Sequence, residues 1–175
     1  MKESRLILRR WNIAYLDDLV RYAGNRKIWR NLTDEFPHPY TRADGESFIR
    51  RVSAEEPVRV LAIEVEGHAV GAIGITPQGG IHRKNTELGY WLAEPFRGRG
   101  IMTLAVREAV GYAFSTFDID RVYAKIFGSN KASQRVLEKN GFIAEARFSK
   151  TVFKDGEYED EIVYAVRGGE EPRPV

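Results

Sequence analysis

The sequence contains no cysteine. That removes disulfide frameworks, thiolate zinc sites, iron–sulfur clusters and cysteine nucleophiles in one step. Histidine is scarce: His38, His68 and His82 stand at no metal-binding spacing and no His-Glu-x-x-His stretch occurs, so the residues call for no metal. No run approaches the roughly 18 apolar residues that a membrane-spanning helix needs. Met1 to Arg10 alternates charged and aliphatic residues with no apolar stretch of secretory type. The expectation is a soluble, cytoplasmic protein without membrane contact. An excess of one charge is lacking too, because 27 Lys and Arg face 25 Asp and Glu, a net +2 over 175 residues. Such a balance supplies no field for direct nucleic-acid binding.

What is present suits one globular domain, with 43% apolar and 30% charged residues. Its expected extent is residues 1–167, followed by a flexible tail over 168–175 that is rich in Gly, Glu and Pro. Arg5–Arg10 reads as a strand. Asn12 can cap a helix with Leu16, Leu19, Val20 and Ala23 on one face. Thr41 to Asp44 has the form of a capping box and opens a helix with Phe48, Ile49 and Val52 inward. Between them lies an irregular segment, Asn31–Tyr40.

Strands over Val58–Glu66 and Ala69–Thr76 flank a hairpin signal at Glu66-Gly67-His68, and Glu87–Leu92 is a third. A helix from about Gly100 to Phe114 puts Ile101, Leu104, Ala105, Ala109, Tyr112 and Ala113 at helical spacing. A strand at Arg121–Phe127 and a helix at Asn130–Asn140 follow; Asn130 can cap the start of that helix and Gly141 suits its left-handed end. Strands Phe142–Phe153 and Glu157–Val166 meet at Asp155-Gly156, a hairpin turn.

The stretch that carries chemistry is Leu92-Ala93-Glu94-Pro95-Phe96-Arg97-Gly98-Arg99-Gly100-Ile101-Met102-Thr103. A strand ends, Pro95 blocks its continuation, and a glycine turn feeds a helix N-terminus whose N–H groups and dipole favour an anion. Gly98 and Gly100 let the backbone approach a phosphate, and Arg97 and Arg99 add charge. A plain tight turn with two solvated arginines reads equally well from these residues alone. No Lys-Ser or Lys-Thr follows the glycines, as a P-loop requires. Thr103 stands where a dinucleotide fingerprint wants a third glycine.

A second constellation, Asn130-Lys131-Ala132-Ser133 with Asn140-Gly141-Phe142, lies one strand later. Together the two stretches resemble the GNAT superfamily of acyl-CoA-dependent N-acyltransferases. The first is similar to its pyrophosphate motif, Arg/Gln-x-x-Gly-x-Gly/Ala, with Met102 departing from the small residue usual at the last position. The second is similar to its Asn-x-x-Ser and Asn-Gly-Phe segments. Gly89-Tyr90-Trp91-Leu92 before the turn, Gly100-Ile101-Met102 after it and Asn130-Lys131-Ala132-Ser133 on the later helix resemble the ribosomal-protein N-terminal acetyltransferase branch, and the element order with Phe36-Pro37-His38-Pro39-Tyr40 extends the resemblance over about residues 3–166.

The resemblance implies an α/β fold: a mixed, mostly antiparallel twisted sheet of about seven strands, splayed between the fourth and fifth, with about four helices. It implies acetyl-CoA as co-substrate on Leu92, Arg97, Gly98, Arg99, Gly100, Ile101, Met102, Thr103 and Asn130. Backbone N–H groups near Tyr90 to Leu92 would face the developing oxyanion. It suggests Ser133 as the acid that protonates the leaving thiolate and Glu87 as the base; a helix-start serine and a solvated strand carboxylate are the plain alternatives. The branch's usual hairpin glutamate matches Val152, leaving Glu145 or Asp160 through water as other candidates for the base. Phe36, Tyr40 and Tyr90, with Trp29, are candidates to wall an acceptor pocket, or else pack the core. The expected reaction is direct acetyl transfer in a ternary complex to a protein N-terminal α-amine. A polyamine or aminoglycoside acceptor and a non-catalytic acyl-CoA sensor are the rivals, and monomer and homodimer both stay open.

Overall fold

Local chemistry sets the element boundaries in the computed structural model, which describes residues 6–169. Asn12 accepts a hydrogen bond from the Ala14 N–H at 2.9 Å and starts a 3-10 turn, Ile13–Tyr15, leading into α1 (Leu16–Ala23). Asn25 accepts from the Lys27 N–H at 2.8 Å and begins a single helical turn, α2 (Arg26–Trp29). Thr41 and Asp44 satisfy each other's backbone N–H groups at the start of α3 (Arg42–Ser53), a complete capping box. The strands are β1 (Leu6–Arg10), β2 (Val60–Val65), β3 (His68–Pro77), β4 (Asn85–Leu92), β5 (Arg121–Phe127), β6 (Ile143–Lys154) and β7 (Glu157–Arg167). The remaining helices are α4 (Ile101–Thr116) and α5 (Lys131–Glu138).

Hydrogen bonding links the seven strands in the order β1-β2-β3-β4-β5-β7-β6. The β1–β2, β2–β3, β5–β7 and β6–β7 pairs are antiparallel, whereas β4 and β5 run parallel. The mixed, mostly antiparallel sheet expected from the sequence is therefore present. Both hairpin turns have two consecutive residues at positive φ, Glu66 with Gly67 and Asp155 with Gly156. That geometry matches the twist of antiparallel strands.

The chain divides into two units. One takes the residues up to Gly74 together with Tyr90–Ala105. Its core gathers Trp11, Leu16, Leu19, Ile28, Ile49, Val52, Ala62, Ala72 and Trp91, with Phe36, Tyr40 and Phe48 packed against it. Trp11 meets Phe48 edge-on at 5.3 Å, and Gly45 lets α3 approach Leu16 of α1, since a Cβ there would stand 2.8 Å from the leucine methyl. The faces expected of α1 and α3 are those that are buried.

The other unit takes Ile75–Gly89 and the residues from Val106 onward. Val106, Ala109 and Ala113 of α4, Val122, Ala124 and Ile126 of β5, and Leu137 of α5 are buried in it. One expected core position fails within the first unit: Leu104 is 46% exposed. Its neighbours Ala105 and Val106 carry the buried stripe, which places Leu104 beside the stripe and not in it. Of the expected tail, residues 170–175 lie outside the described residues, as does Arg5. Gly168 donates to the Asp120 carbonyl at 3.1 Å, and a Cβ on it would meet the Phe114 ring at 3.2 Å.

Candidate active site

The glycine turn is built on a rigid strand end. The Ala93 N–H bonds the Val70 carbonyl at 2.8 Å. Gly71 is bare because a side chain there would run into the Trp91 carbonyl and the Leu92 backbone. A glycine inside a strand is a sequence signal for such close approach, and Gly71 is the residue of the frame that carries it. After Ala93 a 3-10 turn, Glu94–Phe96, carries Pro95 in its first positions. Glu94 accepts from the Lys27 ammonium and from the Asn25 amide at 3.0 Å. Those two partners, the lysine first, hold its carboxyl below the usual range and tie the turn to α2.

Gly98 and Gly100 both take positive φ, 75° and 76°, and nothing lies within 4 Å of where a Cβ would stand on either. The backbone here is open to an approaching ligand. The first residues of the sixteen-residue α4 follow directly, with N–H groups that have no carbonyl one turn earlier in the helix. Ile101 and Met102 are buried and Thr103 half-buried, so the side chains anchor the turn while the backbone faces out. Arg99 lies over the Phe96 ring at 5.5 Å, and Phe96 meets Tyr22 edge-on at 6.0 Å. Arg97 folds back so that its Nε donates to the Leu92 carbonyl at 3.2 Å. Two glycines, two arginines and a helix N-terminus form a donor set that fits a large phosphate anion.

In the same unit Phe36 lies 5.3 Å from Tyr40 and 6.3 Å from Trp91, ring to ring. Both side chains are partly buried and pack against the core. Burial first, then the Asp44 charge, pushes the Tyr40 phenol up to about 12. Trp29 stacks on His38 at 5.1 Å, and Tyr90 is half-buried.

The second unit holds the acid–base candidates. The parallel register of β4 with β5 runs over three rungs, Asn85↔Arg121, Thr86↔Val122 and Glu87↔Tyr123. Side chains two apart share a face, so Asn85, Glu87, Arg121 and Tyr123 form a polar ladder opposite buried Thr86 and Val122. Tyr123 donates its hydroxyl to Glu87 at 3.1 Å, and the Lys125 ammonium lies 3.9 Å from the same carboxylate oxygen. Burial first, then the Glu87 charge and hydrogen bond, pushes the Tyr123 phenol up to about 12.

Glu145 and Asp160 are engaged elsewhere. Glu145 pairs with Arg121 at 2.5 Å and Arg167 at 3.6 Å. Asp160 accepts from the Lys150 N–H at 3.0 Å and from Arg147 at 2.6 Å, which holds its carboxyl low. Val152 sits opposite Glu159, which accepts from Ser129 at 2.6 Å. On α5, Asn130 caps the helix by accepting from the Ser133 N–H at 3.2 Å, so its capping role is real. Ser133 is half-buried. Among the described residues, no group of three or more His, Asp or Glu side chains is placed to hold a metal ion. No helix among them is long and apolar enough to cross a membrane.

Residues 5–143 match the acetyltransferase (GNAT) domain family. A protein named putative ribosomal N-acetyltransferase YdaF, from Bacillus subtilis (strain 168), is 32% identical over 101 residues, 58% of this chain and 55% of that protein. The chain thus spans about half the length of that relative. The spermidine N(1)-acetyltransferase of Escherichia coli (strain K12) is 22% identical over 161 residues, 89% of this chain and 80% of that one. The crystal structure of RimL, a ribosomal L7/L12 alpha-N-protein acetyltransferase in complex with coenzyme A, shares the fold with a TM-score of 0.78 and 23% identity, covering 93% of each chain.

Proposed function

The chain belongs to the GNAT family of N-acetyltransferases, and on that premise we propose that it moves an acetyl group from acetyl-CoA to the N-terminal α-amine of a protein. The observation that carries the cofactor half is the Arg97–Met102 turn. Its two left-handed glycines leave open backbone before a helix N-terminus, with two arginines beside it. The pyrophosphate of acetyl-CoA would rest on that backbone, and the Leu92 strand end would offer its peptide groups to the pantetheine amides.

The reaction asks for a neutral amine, a stabilised oxyanion and a proton for the leaving thiolate. An α-amine titrates near 7.7–8.0 and is roughly 10% neutral at pH 7, whereas lysine near 10.4 is almost wholly charged. A modest base therefore suffices for an α-amine. In our reading Glu87 takes the amine proton, the amine nitrogen bonds the acetyl carbon directly, and the thiolate leaves with a proton from Ser133. The chain has no cysteine, which supports direct attack without an acetyl-enzyme.

Similarity to YdaF, named a putative ribosomal N-acetyltransferase, supports a protein acceptor. The match to a spermidine acetyltransferase runs over more of the chain and supports a second reading, a small polyamine. Thermal unfolding with acetyl-CoA, CoA, ATP and NAD tests the cofactor half. At a hundred times the dissociation constant a ligand stabilises by about 2.7 kcal/mol, or roughly 5–11 °C for a chain this size. Shifts with acetyl-CoA and CoA alone are expected; no shift at millimolar acetyl-CoA overturns the reading.

A further inference from the structure

Glu87 has an unusual amount of support for a strand carboxylate that is one-third exposed. Its rung partner Tyr123 donates to Oε2, the oxygen that Lys125 also faces. The Tyr123 ring is itself held. The Arg121 guanidinium lies over it at 4.7 Å from the centroid, and Arg121 is fixed by Asn85 at 3.0 Å and by Glu145 at 2.5 Å and 3.1 Å. Glu145 is available for this because β6 slips register between Ala144 and Ala146, making Glu145 the extra residue of a bulge. Bulges re-aim side chains in this way.

We propose that Tyr123 is a positioning residue for Glu87, fixing the carboxylate that receives the amine proton. The inference rests on the reading of Glu87 as the base. In the step itself the proton passes from the amine nitrogen to Oε1, the carboxylate oxygen that Tyr123 does not bond, and Tyr123 keeps its own proton. The phenol is suited to that, because burial beside Glu87 keeps it protonated well above neutral pH. The Lys125 ammonium also faces Glu87, and at 3.9 Å it acts as a charge without a directed hydrogen bond. Orientation falls to the tyrosine.

The test compares Tyr123→Phe, Glu87→Gln and the double variant. Tyr123→Phe keeps the ring and its packing and removes only the donor. In protein labelled with carboxyl-13C glutamate, the Glu87 signal is the one missing from Glu87→Gln. That signal should shift in Tyr123→Phe, because the carboxylate loses a hydrogen-bond donor. At neutral pH kcat should fall about tenfold with the KM for acetyl-CoA unchanged. In the Glu87→Gln background, Tyr123→Phe should cost nothing further. An unmoved signal, or a full tenfold loss persisting without the carboxylate, overturns the proposal. Glu87→Gln turning over at the parent rate would instead remove the base assignment, and the carboxyl signal would still judge the Tyr123 contact by itself.

Discussion

A methyl group on Gly71 would stand closer than 3.0 Å to the carbonyl oxygen of Trp91 and 3.3 Å from the Cα of Leu92. The frame of the glycine turn thus depends on a missing side chain one strand away. Gly71→Ala forces backbone, not a flexible side-chain end, to move. It should cost about 1–3 kcal/mol, typical of overpacking a filled site. A lower midpoint of thermal unfolding together with weaker acetyl-CoA binding by calorimetry is the expected pair. Unchanged stability would mean that β3 can give way without disturbing Leu92.

Gly98 and Gly100 make the opposite case. Space is open around both, so alanine meets no neighbour and the penalty comes from the left-handed backbone alone. About 1 kcal/mol is expected for each, a fall of roughly 2–4 °C in the unfolding midpoint. The larger effect should be on acetyl-CoA, whose affinity should drop about tenfold or more as a Cβ intrudes where backbone must meet the phosphates. Equal affinity in Gly100→Ala would make the turn merely a turn.

These two predictions divide what was legible in the sequence from what was not. Hairpin turns at Gly67 and Gly156, the Thr41 capping box and the Asn130 cap are short-range chemistry, and each stands where the residues put it. The single turn at Arg26–Trp29 is too short for periodicity to reveal. Leu104 matched the inward spacing of α4, yet the buried stripe runs through Ala105 and Val106 beyond it. The Tyr123–Glu87 contact needed the parallel register, which no local pattern encodes. Arg97 was legible as charge, but its hold on the Leu92 carbonyl was not, because that bond depends on the path of the turn.

Ser133 and Asn130 separate by mutation. The cap uses the backbone N–H of Ser133, not its hydroxyl. Ser133→Ala should therefore leave the Asn130 cap in place while lowering kcat about 10–100-fold if the hydroxyl protonates the thiolate. Asn130→Ala should cost about 0.5–2 kcal/mol of stability through the lost cap. Paired measurement of kcat and thermal midpoint distinguishes them. A Ser133→Ala enzyme with full turnover removes the acid assignment.

Acid stability should depend on Asp44 and Asp160. Thr41 holds Asp44 low, through its hydroxyl first and its backbone N–H second; the Lys150 N–H and then Arg147 do the same for Asp160. A carboxyl whose folded value lies below its unfolded one stabilises fully above about pH 4 and loses that contribution as pH falls through the folded value. Unfolding midpoints followed from pH 7 down to pH 2 should therefore show the gap between parent and Asp44→Asn closing below about pH 4. A gap independent of pH would show that the cap needs geometry and no charge.

The most direct test is acetyl transfer itself. Purified protein, acetyl-CoA and a panel of peptides with free or blocked N-termini, with spermidine alongside, are followed by thiol release and by mass spectrometry of the acceptor. The account predicts CoA thiol released in equal amount to acetyl gained on the α-amine of free-N-terminus peptides, with little on blocked peptides or spermidine. Transfer to spermidine in preference would move the acceptor assignment to polyamines and keep the chemistry. Thiol release no faster than spontaneous hydrolysis with every amine would contradict the account at its centre.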